Sequence, residues 1–152
     1  PYGEMSHATR AVVAETGFRA ALGQHSGVAH SGLDPLYLPR FAFNETFGGI
    51  DRFRLVVNAL PLPVSDITPA DPLLTDNPPA FGFTVGPGIG NLGQLNCFAS
   101  HDERPGVERL GESRIEVRLA TPFPAGRNRF NCTLPGPDGR WRWFGMQYYV
   151  NP

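Results

Sequence analysis

The first part of this 152-residue chain has an apolar pattern with near-helical spacing. Val12, Val13 and Thr16 recur among alanines at the spacing of one helix face. Ser6 precedes them as a residue that favours the helix N-cap, and Gly17 follows as a residue that favours the helix end. We therefore predict one helix between Ser6 and Gly17.

Apolar residues resume directly after this helix. Residues 18–23 are predicted to form a short buried strand, residues 24–35 a loop and residues 36–44 an extended segment. A helix followed by glycine and an apolar strand is typical of the second half of a βαβ unit. Such a half-unit cannot bury its faces alone, so we expect this chain to be the tail of a larger protein with strands upstream of Pro1.

The pattern changes near residues 47–51, and short strand candidates recur after that point. In the clearest one, Ile115 and Val117 face one side while Arg114 and Glu116 face the other. The strand candidates are residues 53–58, 80–85, 94–100, 107–110, 113–120, 127–134 and 140–150. This spacing predicts a β-sandwich of immunoglobulin or fibronectin type, with residues 60–79 as a loop across the sheet.

Composition and charge argue against two kinds of partner. The formal net charge is -1, which argues against a nucleic-acid partner, since that would need a basic patch. No apolar run approaches the roughly 20 residues that span a bilayer, so no membrane span is expected. The 18 Gly and 16 Pro are spread among apolar runs, as in a domain with many turns between short strands.

Two cysteines, Cys97 and Cys132, both lie in strand candidates. If residues 53–58 are the first strand of the sandwich, these cysteines lie on neighbouring strands of one sheet, unlike the antibody disulfide between sheets. A disulfide and a pair of buried free thiols both remain open. A disulfide would indicate an exported or periplasmic protein, and free thiols a cytoplasmic one.

Aromatic and arginine residues alternate near the end of the chain. Trp141 and Trp143 share one face of the last strand candidate, while Arg140, Arg142 and Phe144 share the other. The two indole rings either bind sugar by stacking, with Arg bonding the hydroxyls, or belong to the sandwich core. We take Trp141 and Trp143 as candidate substrate-binding residues.

Short motifs within residues 1–45 stand in a recognisable order. They are Pro-Tyr-Gly-Glu at residues 1–4, Glu-Thr-Gly-Phe-Arg-Ala-Ala at residues 15–21, Gly-Gln at residues 23–24, and Leu-Pro-Arg-Phe at residues 38–41. This order resembles the end of a bacterial polysaccharide deacetylase domain, carbohydrate esterase family four, whose fold is a distorted (β/α) barrel. The resemblance implies that residues 1–50 are the C-terminal remnant of such a barrel. Residues 51–152 are then an accessory β-sandwich, and the whole chain is mainly β.

The resemblance also implies an activity, the metal-dependent removal of acetyl groups from N-acetylated sugars. In the family an Asp and two His bind a divalent metal, usually zinc, and a neighbouring Asp acts as base. These motifs lie upstream of Pro-Tyr-Gly, so we expect no metal ligand and no cofactor in this chain, and no activity from it alone. The family uses the backbone N–H of the motif tyrosine, here Tyr2, in its oxyanion hole.

The family also uses a late histidine as general acid, for which His25 is our candidate. Tyr2 as a simple turn residue and His25 as a surface loop residue are the alternatives.

Three kinds of function follow from these observations. The first is a part of a polysaccharide deacetylase, with an N-acetylated polysaccharide or oligosaccharide and the missing N-terminal half of the barrel as partners. The second is a non-enzymatic carbohydrate-binding module built on the sandwich. The third is a structural role, with homo-oligomers formed through residues 1–50, because that segment would leave apolar surface exposed without its barrel partners.

Overall fold

Two four-stranded sheets face each other in the computed structural model, which describes residues 3–102 and 104–152. The predicted mainly β character is confirmed. In chain order the elements are α1 His7–Glu15, α2 Ile50–Val57, β1 Leu60–Pro61, β2 Val64–Thr68, β3 Phe81–Val85, β4 Asn96–Ala99, β5 Gly106–Leu110, β6 Arg114–Arg118, β7 Gly126–Pro135 and β8 Trp141–Val150. Short 3-10 turns occupy Leu92–Gln94 and Pro137–Gly139.

One sheet has the strand order β1-β8-β7-β4 and the other the order β2-β3-β6-β5. The longest pairing of the first sheet is the hairpin of β7 and β8, which have ten residues each. The turn of this hairpin is the predicted Pro-Gly cluster at residues 135–139. Neighbouring strands are antiparallel, with the exception of β1, which runs parallel to β8. The strand β8 therefore lies between its hairpin partner and a strand that pairs with it over only two residues.

The core fills the space between the inner faces of the two sheets. Alternate residues of β8 point inward, and the even-numbered Phe144, Met146 and Tyr148 are buried there. The ring of Phe81 from the facing sheet stacks on Phe130, with 4.0 Å between the ring centroids. Burial of each such side chain stabilises the fold by about 1.5–3 kcal/mol, so the aromatic core holds the sheets together.

The N-terminal helix has the predicted ends. The Ser6 hydroxyl accepts a hydrogen bond from the Thr9 backbone N–H at 3.1 Å, and Gly17 has φ +83° directly after the helix C-cap. The prediction of a buried strand over residues 18–23 is wrong. Phe18 and Leu22 are exposed, and the segment makes only a single bridge, from Leu22 to Leu38. A single bridge pairs the segment with the rest of the chain at one residue, which is too little for a strand.

Two further predictions are corrected by the structure. Of residues 53–58, predicted as a strand, residues 53–57 belong to α2 and Asn58 is its C-cap; this helix begins after Gly49 and buries only Val56. Residues 60–79, predicted as a loop, contain β1 and β2. The boundary placed between residues 50 and 51 falls in the first turn of α2, and the division into two domains stays a prediction.

A disulfide joins Cys97 to Cys132. The two residues are register partners on β4 and β7 and so lie on neighbouring strands of one sheet, although residues 53–58, the first strand in the reasoning that placed them there, are not a strand. The bridge differs from the antibody disulfide because it lies within a sheet. In the described part of the chain, no helix combines the length and the apolar character needed to cross a membrane.

Candidate functional site

A cavity lies beside the middle of β8, at the edge away from β7, where no other strand of the described residues pairs with it. The segment that follows β1 bonds to β8 where the Leu62 N–H donates to the Trp143 carbonyl at 3.3 Å. This segment then crosses to the other sheet as β2. It returns to β8 further along, where the Tyr149 N–H donates to the Pro72 carbonyl at 2.8 Å. The gap between these two bonds opens into a cavity of about 350 Å³.

The walls of this cavity come from distant parts of the chain. The sandwich supplies an apolar wall that includes Leu62, Ile67, Phe144 and Met146. The segment of residues 23–39 and the helix α1 supply most of the polar groups. An apolar pocket of this size with a few convergent polar groups is typical of a small-molecule site.

Two of the motifs that carry the family resemblance, at residues 23–24 and 38–41, contact each other beside this cavity. The Gly23 N–H donates to the Leu38 carbonyl at 2.8 Å, and the Arg40 N–H donates to the His25 carbonyl at 3.0 Å. The Arg40 side chain also donates from Nε to the Gly23 carbonyl at 2.8 Å. These bonds hold the loop that carries His25 against the Leu-Pro-Arg segment.

His25 lies in the cavity wall and is only 6% exposed. The alternative prediction, a histidine in a surface loop, is therefore wrong. Its ring packs on Tyr37, with 4.2 Å between the ring centroids. Burial lowers the pKa of His25 to about 4 and raises the pKa of Tyr37. Both groups are therefore neutral at pH 7. Within the described residues, His25 Nδ1 and the Tyr37 hydroxyl have no hydrogen-bond partner.

An ion pair between Arg10 and Asp34 lies at the same cavity. The Arg10 guanidinium donates from Nη2 to Asp34 Oδ1 at 2.9 Å and from Nε to Asp34 Oδ2. The hydrogen bond from Arg10 lowers the pKa of Asp34. Because both partners are partly exposed, the pair contributes modestly to stability, but it fixes two polar groups at the cavity.

The tryptophan candidates have different surroundings. Trp143 lines the cavity, donates from Nε1 to Asn131 Oδ1 at 3.2 Å and meets the Phe41 ring edge-on at 5.2 Å between centroids. Trp141 is exposed and does not line this cavity. The structure thus brings His25 and Trp143 together and leaves Trp141 outside. Tyr2 lies outside the described residues.

Several cavity residues were not candidates from the sequence, among them Arg10, Asp34, Tyr37 and Gly145. One signal was present, because a glycine inside a strand pattern marks a close backbone approach. A Cβ at Gly145 would collide with the Ser26 carbonyl oxygen and come within 3.0 Å of Asn131 Oδ1. The chain of residues 26–27 therefore lies directly on the outer face of β8.

The described residues do not fit the metal that the resemblance implies. Among them, no three His, Cys, Asp or Glu side chains lie close enough to hold a metal ion. A scan against protein-family models found no match, and neither did searches of the curated proteins and of the solved structures.

Proposed function

We propose that this chain is the glycan-binding part of a metal-dependent polysaccharide deacetylase, which removes acetyl groups from N-acetylated sugars. Its cavity receives one sugar unit of the polysaccharide. The immunoglobulin-like type of the sandwich and the origin of residues 1–50 as a remnant of a (β/α) barrel belong to this proposal. The metal and its base lie, on this proposal, in an upstream part of the protein.

The observation that carries the proposal is that His25 and Trp143 line the same cavity. These residues come from opposite halves of the sequence, and each was a candidate from the sequence for a separate reason. The segments that resemble the deacetylase family are hydrogen-bonded to each other beside this cavity. The segments that carry the resemblance therefore lie next to the cavity, and Pro39 of the Leu-Pro-Arg segment lines it.

The side chains suit a neutral polar ligand. Trp143 supplies an aromatic wall for the apolar face of a sugar ring, and the Arg10–Asp34 pair supplies a donor and an acceptor for hydroxyls. His25 is neutral above about pH 5 because its pKa is about 4. We assign it a substrate-facing role through hydrogen bonds, since a neutral imidazole both donates and accepts.

Calorimetric titration with a tetramer of N-acetylglucosamine tests the binding. We expect saturable binding that weakens about tenfold, or about 1.4 kcal/mol, in Trp143→Ala. Trp141→Ala is the matched control, because the same residue type on the same strand lies outside the cavity. The absence of binding would overturn the proposal. Loss of binding in Trp141→Ala alone would move the site to the exposed face of β8.

Acetate release tests the enzymatic half of the proposal. With zinc present, the chain alone should release no acetate from N-acetylated oligosaccharides. A longer protein that carries this chain behind the upstream motifs should release it, with a raised KM in Trp143→Ala. Acetate release by the chain alone would show that it holds the metal itself. A longer protein without activity would leave a carbohydrate-binding module as the better description.

A second candidate, self-association, has its own observation. The segment of residues 43–57 exposes several large apolar side chains: Phe43, Phe47, Ile50, Phe53, Leu55 and Val57. Exposed apolar side chains in one segment are typical of an interaction surface. Light scattering over a concentration series should show oligomers that dissociate in Phe47→Ser and Ile50→Ser. A monomer at all concentrations would contradict this role.

A further inference from the structure

The unpaired part of β8 presents backbone groups to the cavity. Along a strand, alternate residues direct their N–H and C=O groups to opposite edges. Trp143 and Tyr149 direct theirs away from β7, because they bond the chain at Leu62 and Pro72. Gly145 has the same parity and therefore directs its N–H and C=O to the same edge, in the gap between the Leu62 and Pro72 bonds.

Gly145 is buried and lines the cavity, yet within the described residues no backbone group bonds to it at that edge. Buried backbone groups in native proteins nearly always have a hydrogen-bond partner, whether protein, water or ligand. The hydroxyl of Tyr37, in the same cavity, is also buried without a partner among those residues. One N–H, one C=O and one hydroxyl thus share a cavity with mainly apolar walls.

We propose that this strand edge binds a secondary amide, and that the amide is the acetamido group of an N-acetylated sugar. The proposal rests on the function proposed above and names the part of the sugar that is bound. The N–H and C=O of a trans secondary amide point in opposite directions, so one of them bonds to the Gly145 backbone and the other to the Tyr37 hydroxyl, which can donate or accept. The acetyl methyl group then lies against the apolar wall.

The geometry favours a small amide over a peptide strand. The chain's own bonds at Leu62 and Pro72 close both ends of the gap, so an extended peptide cannot run along it. The face of Gly145 is covered by the Ser26 carbonyl, so a ligand reaches its backbone only in the plane of the sheet. A flat group at the end of a small molecule meets both conditions within about 350 Å³.

Nitrogen-15 NMR of the whole chain tests the proposal. N-acetylglucosamine should shift the Gly145 amide resonance in a saturable manner, and glucosamine and glucose should not. The same shift should occur with a small non-sugar amide, N-acetylalanine methylamide, because the amide is the shared chemistry. No saturable shift of the Gly145 resonance with either amide would overturn the proposal.

Two variants address the contacts. Tyr37→Phe removes only a hydroxyl without a partner, so the fold should persist while the affinity for N-acetylglucosamine falls about three- to tenfold. Ala70→Phe fills the cavity from an exposed position and should abolish the Gly145 shift, while Ala14→Phe, at an exposed position of α1 outside the cavity, should not. Unchanged affinity in both Tyr37→Phe and Ala70→Phe would place the amide elsewhere.

The two proposals fail in different ways. Equal binding of glucose, glucosamine and N-acetylglucosamine would overturn the amide site and leave glycan binding intact. Binding of the non-sugar amide alone, with no sugar bound, would support the amide site and overturn the proposed function.

Discussion

The buried imidazole of His25 makes the stability of this protein depend on pH in a calculable way. Its pKa is about 4 in the folded chain because burial disfavours the charged form, against about 6.5 for an unperturbed histidine. Between these values the unfolded chain binds the proton and the folded chain does not. Stability is therefore present above about pH 6.5 and is lost as the pH falls toward 4.

The magnitude follows from the size of the pKa shift. At 1.36 kcal/mol per pKa unit, the shift corresponds to about 3 kcal/mol of unfolding free energy lost between pH 7.5 and pH 4. The variant His25→Phe keeps a ring against Tyr37 but does not titrate, so it should lack this loss. Asp34, whose pKa is lowered, contributes stability that is lost at still lower pH, in both proteins alike.

Urea unfolding of the wild type and His25→Phe at several pH values measures the effect. The difference in unfolding free energy between the two proteins should change by about 3 kcal/mol across this range. Parallel pH profiles would refute the reasoning, as would an NMR titration that gives His25 a pKa near 6.5.

Two further predictions concern the sheet that carries β8. The disulfide closes a loop with a sequence separation of 35, so Cys97→Ala with Cys132→Ala should cost about 4 kcal/mol and lower Tm by roughly 8–16 °C in calorimetry. An equal Tm in both proteins would contradict the loop-entropy argument. Gly145→Ala should cost about 1–3 kcal/mol in urea unfolding, because its Cβ collides with Ser26. Gly49→Ala, with open space around its Cβ, is the control and should cost less than Gly145→Ala.

The strands β3 to β8 were predictable because local patterns mark them, whereas β1 and β2 lie in a Pro-rich segment that was predicted as a loop. The alternation around Ile115 and Val117 marks β6, and the Pro-Gly cluster marks the turn between β7 and β8. For α2 the local pattern gave the wrong prediction, a strand. Ile50, Phe53 and Val56 recur at the three-residue spacing of a helix, but a short apolar run has the composition of a strand as well.

The cavity was not predictable, since it depends on contacts between distant residues. His25 was a candidate because the family uses a late histidine and Trp143 because of the aromatic pattern of its strand, yet nothing local indicates that both line one cavity. Their meeting requires the chain to leave β8 after Leu62 and to return at Pro72, a path set by the packing of β2 in the other sheet. Of the site, the sequence therefore identified individual residues but not their arrangement.

The cover that residues 26–27 place over β8 has a consequence for the handling of the protein. An uncovered strand edge with free backbone groups is a template on which other chains pair and aggregate. Residues 26–27 cover the outer face of β8 at Gly145 and so shield the edge beside it from that side. A protein cut within residues 28–41 would lose this shield while its disulfide and aromatic core stayed in place. Its solubility would then fall before its secondary structure changed.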